Sequence, residues 1–243
     1  MDAPSVPPKK PGYNERIFGS GLRRAFHLGR FHWASKAAAR DTDLSKVVEL
    51  GCFDGRLLDY LPREPAEYVG IDADWEGGLS AAKQKFAGRS DRIFLKASEP
   101  SIFQQFKDRS FTSAFALETL EHVPPHLVDP YLQQLARVLH GRLFVTVPNE
   151  KGPVFLAKWT LKKALYGDGE RYRAHEVCAA TLGLLGKVER NQHKGFDYHA
   201  LARQIGRYFD DVRLTGLPGG VAPPFLSMTV AIIAKSRDAP CAE

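Results

Sequence analysis

The stretch Val47 to Leu58, VVELGCFDGRLL, constrains this chain more than any other. Val47 and Val48 open a short apolar run that reads as a buried strand, closed by Glu49. Gly51, Cys52, Phe53, Asp54 and Gly55 then make a tight, glycine-punctuated turn, and Leu57 and Leu58 begin a helix. A strand, a glycine turn and a helix N-terminus together hold a nucleotide-like ligand at the carboxyl edge of a parallel sheet. Glycine is expected where the ligand approaches the backbone, because a Cβ would collide with it. Taken alone, the stretch also reads as a purely structural βα turn. A second stretch, Tyr68 to Asp74 (YVGIDAD), shifts the balance: Asp72 lies 21 residues after Gly51, the distance at which an acid accepts hydrogen bonds from ribose hydroxyls.

With the later segment ALETLEHV, the motifs ELGCFDG and GIDAD make the chain resemble the class I S-adenosylmethionine-dependent methyltransferases. Within them it is most similar to the small-molecule O-methyltransferase branch that includes the ubiquinone-biosynthesis enzymes. The resemblance covers Lys46 to Asn149, and the C-terminal part more loosely. It implies an α/β, Rossmann-like fold: a mostly parallel seven-stranded sheet with an antiparallel last strand and a helical cap. It implies S-adenosylmethionine as cofactor, with Glu49, Gly51, Cys52, Gly55, Asp72 and Ala73 around it. Glu118 would position the methionine end, and Ser98 stands where the family often has an acid for the adenine amine. An N-terminal helix would fold over the cofactor, so that Arg30, His32 or Tyr13 meets its carboxylate or covers its methyl group; a solvated basic face is the other reading of that helix. One departure stands out: Phe53 occupies a position where the family usually has a second glycine. Either the backbone there takes a conformation open to Phe, or the pocket is altered.

Taken in order, residues 1–14 read as a disordered arm, rich in proline and lysine. Residues 15–236 read as one methyltransferase domain, with 150–195 a cap insertion, and 237–243 as a tail. Helical patterns run over 15–40, 55–61, 75–86, 126–139, 154–166, 175–185 and 197–208. Strands are expected at 46–50, 67–71, 91–95, 111–117, 141–147, 211–215 and 226–234, and Pro148-Asn149 would mark the far wall of the pocket. The chain of 243 residues suits a single α/β domain, and its 44% hydrophobic content supports a sizeable core. The charge of +6 is compatible with an anionic substrate, a membrane surface or nucleic acid, and is also ordinary. Cys52, Cys178 and Cys241 fit no metal spacing, and a reducing, cytoplasmic location is the natural inference. No run approaches a signal peptide core or a transmembrane helix.

Methyl transfer to an alcohol or phenol benefits from a base of near-neutral pKa, and His122, just after strand four, is the first candidate. The other reading makes it a loop-shaping histidine. His175 and His193 lie in or beside the cap, and either completes the site if the cap closes; otherwise each is a surface residue. No metal site is expected, since Glu118 and Glu121 read as one cofactor-lining and one structural acid. The segment after strand four is Glu118-Thr119-Leu120-Glu121-His122 in place of the Asn-Pro-Pro-Tyr-like tetrapeptide of amino methyltransferases. That tilts the expectation towards O-methylation of a small-molecule, glycan-like or lipid-linked acceptor. Trp159 and the lysines of 154–166 could rest on a membrane. RNA or another macromolecule is the rival acceptor, disfavoured by the lack of a nucleic-acid-binding module. A cofactor-binding scaffold without catalysis is the third reading.

Overall fold

The computed structural model describes residues 21–39, 41–166, 172–191, 193–218 and 222–237. The expected N-terminal arm, Tyr13 and nearly all of the expected tail lie outside the described residues. Seven strands form one sheet: β1 (Lys46–Leu50), β2 (Glu67–Asp72), β3 (Arg92–Lys96), β4 (Phe111–Leu117), β5 (Leu139–Pro148), β6 (Phe209–Leu217) and β7 (Thr229–Ser236). Their spatial order is β3-β2-β1-β4-β5-β7-β6. β1 to β5 are mutually parallel, and β7 runs antiparallel between β5 and β6. The helices are α1 (Gly21–Ala38), α2 (Gly78–Lys85), α3 (Pro125–Val138), α4 (Gly152–Tyr166), α5 (Ala174–Thr181) and α6 (Tyr198–Ile205).

The central strand β4, FTSAFAL, is buried along its whole length, as a parallel strand covered on both faces must be. Successive side chains point to opposite faces. Ala114 and Ala116 join one apolar layer with Leu132 and Leu135 of α3 and Leu201 and Ile205 of α6. Phe115 and Leu117 join the other, beneath Phe31, Trp33 and Ala34 of α1. Phe115 pairs in register with Phe144 of β5, and the two rings stack at 4.8 Å. Trp33 meets Phe144 edge-on at 6.3 Å, which fixes α1 against the sheet. The Thr112 hydroxyl pins β4 to the start of β1, accepting from Lys46 N at 3.1 Å and donating to Lys46 O at 3.0 Å.

Several elements differ from the sequence-based expectation. The helix expected over 55–61 is one 3₁₀ turn, Arg56–Asp59. Gly55 is left-handed and Pro62 follows closely, leaving too few residues for a stable α-helix. The helix expected from Trp75 starts only at Gly78, because Asp74 and Gly77 both have positive φ. The helix expected to reach Leu185 ends at Thr181, with left-handed Gly183 just beyond.

α4 and α5 share a small apolar cluster of their own, built on Phe155, Ala179, Ala180, Leu185 and Val188. Trp159 packs against this cluster, and Lys158 donates to Asn149 O at 3.2 Å and to Glu150 at 2.5 Å. Asn149 serves as an anchor rather than a pocket wall: its side-chain amide donates to Ser227 O at 3.0 Å and its backbone N–H donates to Met228 O at 2.8 Å. Among the described residues no helix is long and apolar enough to cross a membrane.

Phe144 touches both the sheet and α1, so Phe144→Ala should destabilise the protein by about 3–5 kcal/mol through the lost transfer term and the cavity left behind. Urea unfolding followed by circular dichroism measures it, and Phe144→Leu should cost distinctly less.

Candidate functional site

The strand order reverses between β1 and β4, so the segments leaving their carboxyl ends part and open a crevice. A cavity of about 300 Å³ occupies it, within the range of small-ligand sites. Its wall combines the segments after β1, β2, β3 and β4 with Arg30 and Phe31 of α1 and Tyr131 of α3. Of the residues singled out from sequence, Arg30, Glu49, Gly51, Cys52, Asp72, Ala73, Ser98, Glu118 and His122 all line it. Gly55 does not: a Cβ there would meet the rings of Phe94 and Phe86 at 3.0–3.1 Å, so it is a packing glycine. Pro148 and Asn149 are absent from the wall as well.

Gly51 is needed for a reason other than close approach of a ligand. Its φ is +78°, and a Cβ would fall 2.1 Å from Thr119 Oγ1. The side chain of Thr119, from the segment after β4, fills that space. Cys52 likewise tucks its sulfur against Gly70 of β2, where burial pushes the thiol pKa up. Phe53 does take the left-handed conformation, with φ 47°. Its N–H donates to Asp72 Oδ2 at 2.9 Å, and its ring lies in the space that Gly78 leaves by lacking a Cβ. The missing glycine of the turn is thus balanced by a glycine at the start of α2.

Asp72 closes β2 and faces the cavity. Its Oδ1 accepts from Asp74 N at 2.6 Å, and each oxygen keeps a further lone-pair site for a hydroxyl. Glu49 is buried and accepts a hydrogen bond from the Tyr68 hydroxyl. Burial pushes its pKa up to about 8, with Asp72 and Asp54 raising it further and Tyr68 and Arg30 opposing. Glu118 enters the wall with φ 55°, and burial raises its pKa, opposed by Arg30. Glu118 Oε1 and Arg30 Nε are buried with no hydrogen-bond partner among the described residues. A buried acceptor and a buried donor left open at one cavity fit a ligand that carries both an ammonium and a carboxylate. Ser98 sits exposed at the rim.

His122 is partly buried at the other end of the segment, and burial lowers its pKa. His193 is no surface residue: its ring meets that of His122 edge-on, with centroids 4.3 Å apart. Burial first, and His122 next, lower its pKa to about 3. The turn that carries it is held by paired backbone bonds between Asn191 and Lys194, and Lys194 reaches Glu176 of α5 at 2.8 Å. His175 is exposed, and His32 sits at the surface against Tyr60. The roles of Thr119 and Gly78 escaped the sequence reading because they are tertiary complements of the turn. The pairing of His193 with His122 depends on the fold of the cap, although both histidines carried a signal.

Two tests follow from this geometry. Gly78→Ala should destabilise the wild type by about 1–3 kcal/mol by overpacking the Phe53 ring. In a Phe53→Gly background the ring contacts go while the contact with the residue-53 backbone carbonyl carbon at 2.7 Å stays, so the same change should cost less but not nothing, and a double-mutant cycle of urea unfolding reads the difference. For Glu49, the folded protein retains a proton between about pH 5 and 8 that the unfolded chain releases, so stability falls as pH rises through that window. Glu49→Gln should show a smaller loss of stability between pH 5.5 and 8 than the wild type in the same unfolding assay.

Residues 47–141 match the family model described as methyltransferase domain. No curated protein matches the chain. Among solved structures, a protein from Pyrococcus horikoshii aligns with a TM-score of 0.62 at 14% identity, over 93% of this chain and 96% of that one. A possible histamine N-methyltransferase from Thermotoga maritima aligns with a TM-score of 0.56 at 16% identity, over 92% and 98%. A TehB-like methyltransferase from Corynebacterium glutamicum aligns with a TM-score of 0.56 at 14% identity, over 92% and 93%. At such identities the structural likeness establishes the fold, and the sequence match supplies the activity. The segments after β1, β2, β3 and β4 that line the crevice at the β1/β4 reversal fall within this match, which supports S-adenosylmethionine-dependent methyl transfer as the chemistry of the site.

Proposed function

We propose that the chain transfers the methyl group to an oxygen of a small-molecule, glycan-like or lipid-linked acceptor. The observation that carries this reading is the half-buried His122 on the cavity wall, on the same short segment as Glu118, where burial lowers the imidazole pKa. Bound in the cavity, S-adenosylmethionine supplies a sulfonium methyl, an electrophilic carbon whose bond to sulfur breaks with its electron pair returning to sulfur. The protein's part is to orient, to exclude water and to handle one proton. Asp72 accepts the ribose hydroxyls, next to Ala73 and the Gly51–Cys52 backbone. Ser98 stands towards the base. Arg30 meets the carboxylate of the methionine end, and Glu118 its ammonium, which satisfies the two open polar atoms. Glu49 backs Asp72 through the shared turn. His122 takes the proton of the acceptor hydroxyl as the new C–O bond forms, an exchange suited to an imidazole left neutral at pH 7.

Of the α4 lysines, Lys158 is engaged with Glu150 and Lys163 lies over the Trp159 ring at 4.9 Å, while Lys162 and Lys163 stand exposed.

Calorimetric titration with S-adenosylmethionine tests the donor half. Micromolar binding is expected, weakened about ten- to a hundred-fold in Asp72→Ala through loss of charge-assisted hydrogen bonds. Absence of binding to the wild type would sink the assignment and bring the scaffold reading forward. His122→Ala tests the acceptor half: donor binding should persist, while transfer to a hydroxyl acceptor found by screening should fall by about 10²-fold or more.

A further inference from the structure

We propose that Glu121, His122 and His193 bind one late first-row divalent cation, such as zinc or cobalt, at the acceptor margin of the cavity. Each residue offers one ligand atom, and the three atoms lie within 4.8 Å of one another. A tetrahedral ion with ligands at about 2.0–2.2 Å holds them about 3.3–3.6 Å apart, so closure asks only a rotamer adjustment of about an ångström. Two imidazoles and one carboxylate form a mixed nitrogen–oxygen set, which suits these ions better than magnesium or calcium.

A second, independent observation points the same way. The Glu121 side chain has no exposed surface, yet neither carboxylate oxygen has a hydrogen-bond partner among the described residues. Its Oε1 stands 4.0 Å from His122 Nε2. A buried carboxyl without a partner is costly, and a cation between it and the imidazoles removes that cost. The geometry also has support on the far side. The turn bearing His193 is fastened to α5 by the Lys194–Glu176 pair, and Arg190 donates to the Glu121 backbone oxygen at 2.9 Å, holding the two segments together.

The inference rests on the reading that the acceptor enters beside His122, the one member of the three that lines the cavity. It keeps the acceptor position of that reading and replaces the proton-accepting role of His122 with a ligand role. Three protein ligands leave a position open for an acceptor oxygen, whose pKa the ion lowers. In the loaded protein His122 is a ligand, and the acceptor proton leaves to solvent in place of the imidazole. A hydroxyl, or a pair of adjacent hydroxyls, is the acceptor group that such a position takes.

Chelator-dialysed protein titrated with zinc chloride, and separately with cobalt chloride followed by visible absorption, tests the site. One ion per chain is expected, with ligand-field bands for cobalt. His193→Ala and Glu121→Gln should each weaken binding at least tenfold, and both should still bind S-adenosylmethionine like the wild type. Lack of stoichiometric uptake, or uptake equal in wild type and both variants, would overturn the proposal. Titrating S-adenosylmethionine into the same samples separates the two readings, since donor binding with no metal uptake removes the ion alone.

Discussion

The parting of the chain after β1 and β4 is the constraint on which the rest of this molecule depends. β1 hands its chain to β2 on one side of the sheet, while β4 leads to β5 on the other. The two loops cannot follow each other, and a crevice remains between them. Its floor is closed by one contact, the Thr119 side chain set against the bare Cα of Gly51. That contact orients the whole segment from Glu118 to His122, and so decides which of its side chains face the cavity. The aromatic stack of Phe115 and Phe144 lies in the apolar layer on β4.

Around this crevice the polar groups are unusually concentrated for a buried place. Glu49, Glu118 and Glu121 are carboxyls that burial drives towards their neutral forms, and Arg30 faces all three. Such a collection costs stability in the empty protein, since buried charges and open hydrogen-bonding atoms are expensive. It makes sense as the lining of a site that gains its partners on binding. The same logic separates two ends. Glu118 and Arg30 offer complementary open atoms at one end, whereas Glu121, His122 and His193 gather at the other.

The cap matters to chemistry through its anchoring more than through its surface. Glu176 accepts from the backbone of Arg173 and Glu189 and pairs with Lys194, so one side chain ties the start of α5 to the loop that follows it. That loop delivers His193 to His122. Lys158 and Trp159 of α4, which in isolation suggest a surface for lipid or RNA, are instead turned to internal partners.

Much of this was legible in the sequence, and the reasons differ by residue. Val47 to Leu50, the glycine turn and Asp72 mark two adjacent parallel strands because local geometry and periodicity suffice: buried strands need apolar runs, and an acid at the end of β2 falls beside the β1 turn. The run FTSAFAL marked the central strand for the same reason. What only tertiary structure decided are the complements. Phe53 is tolerated because Gly78, 25 residues on, vacates the space for its ring. Gly51 answers to Thr119, and His193 reaches His122 across 71 residues of chain. Local sequence encodes backbone conformation and burial, which depend on neighbours in the chain. Contacts between distant residues depend on how layers close over one another, and so the turn and its acid could be read directly, while the partners that shape the cavity emerged only with the fold.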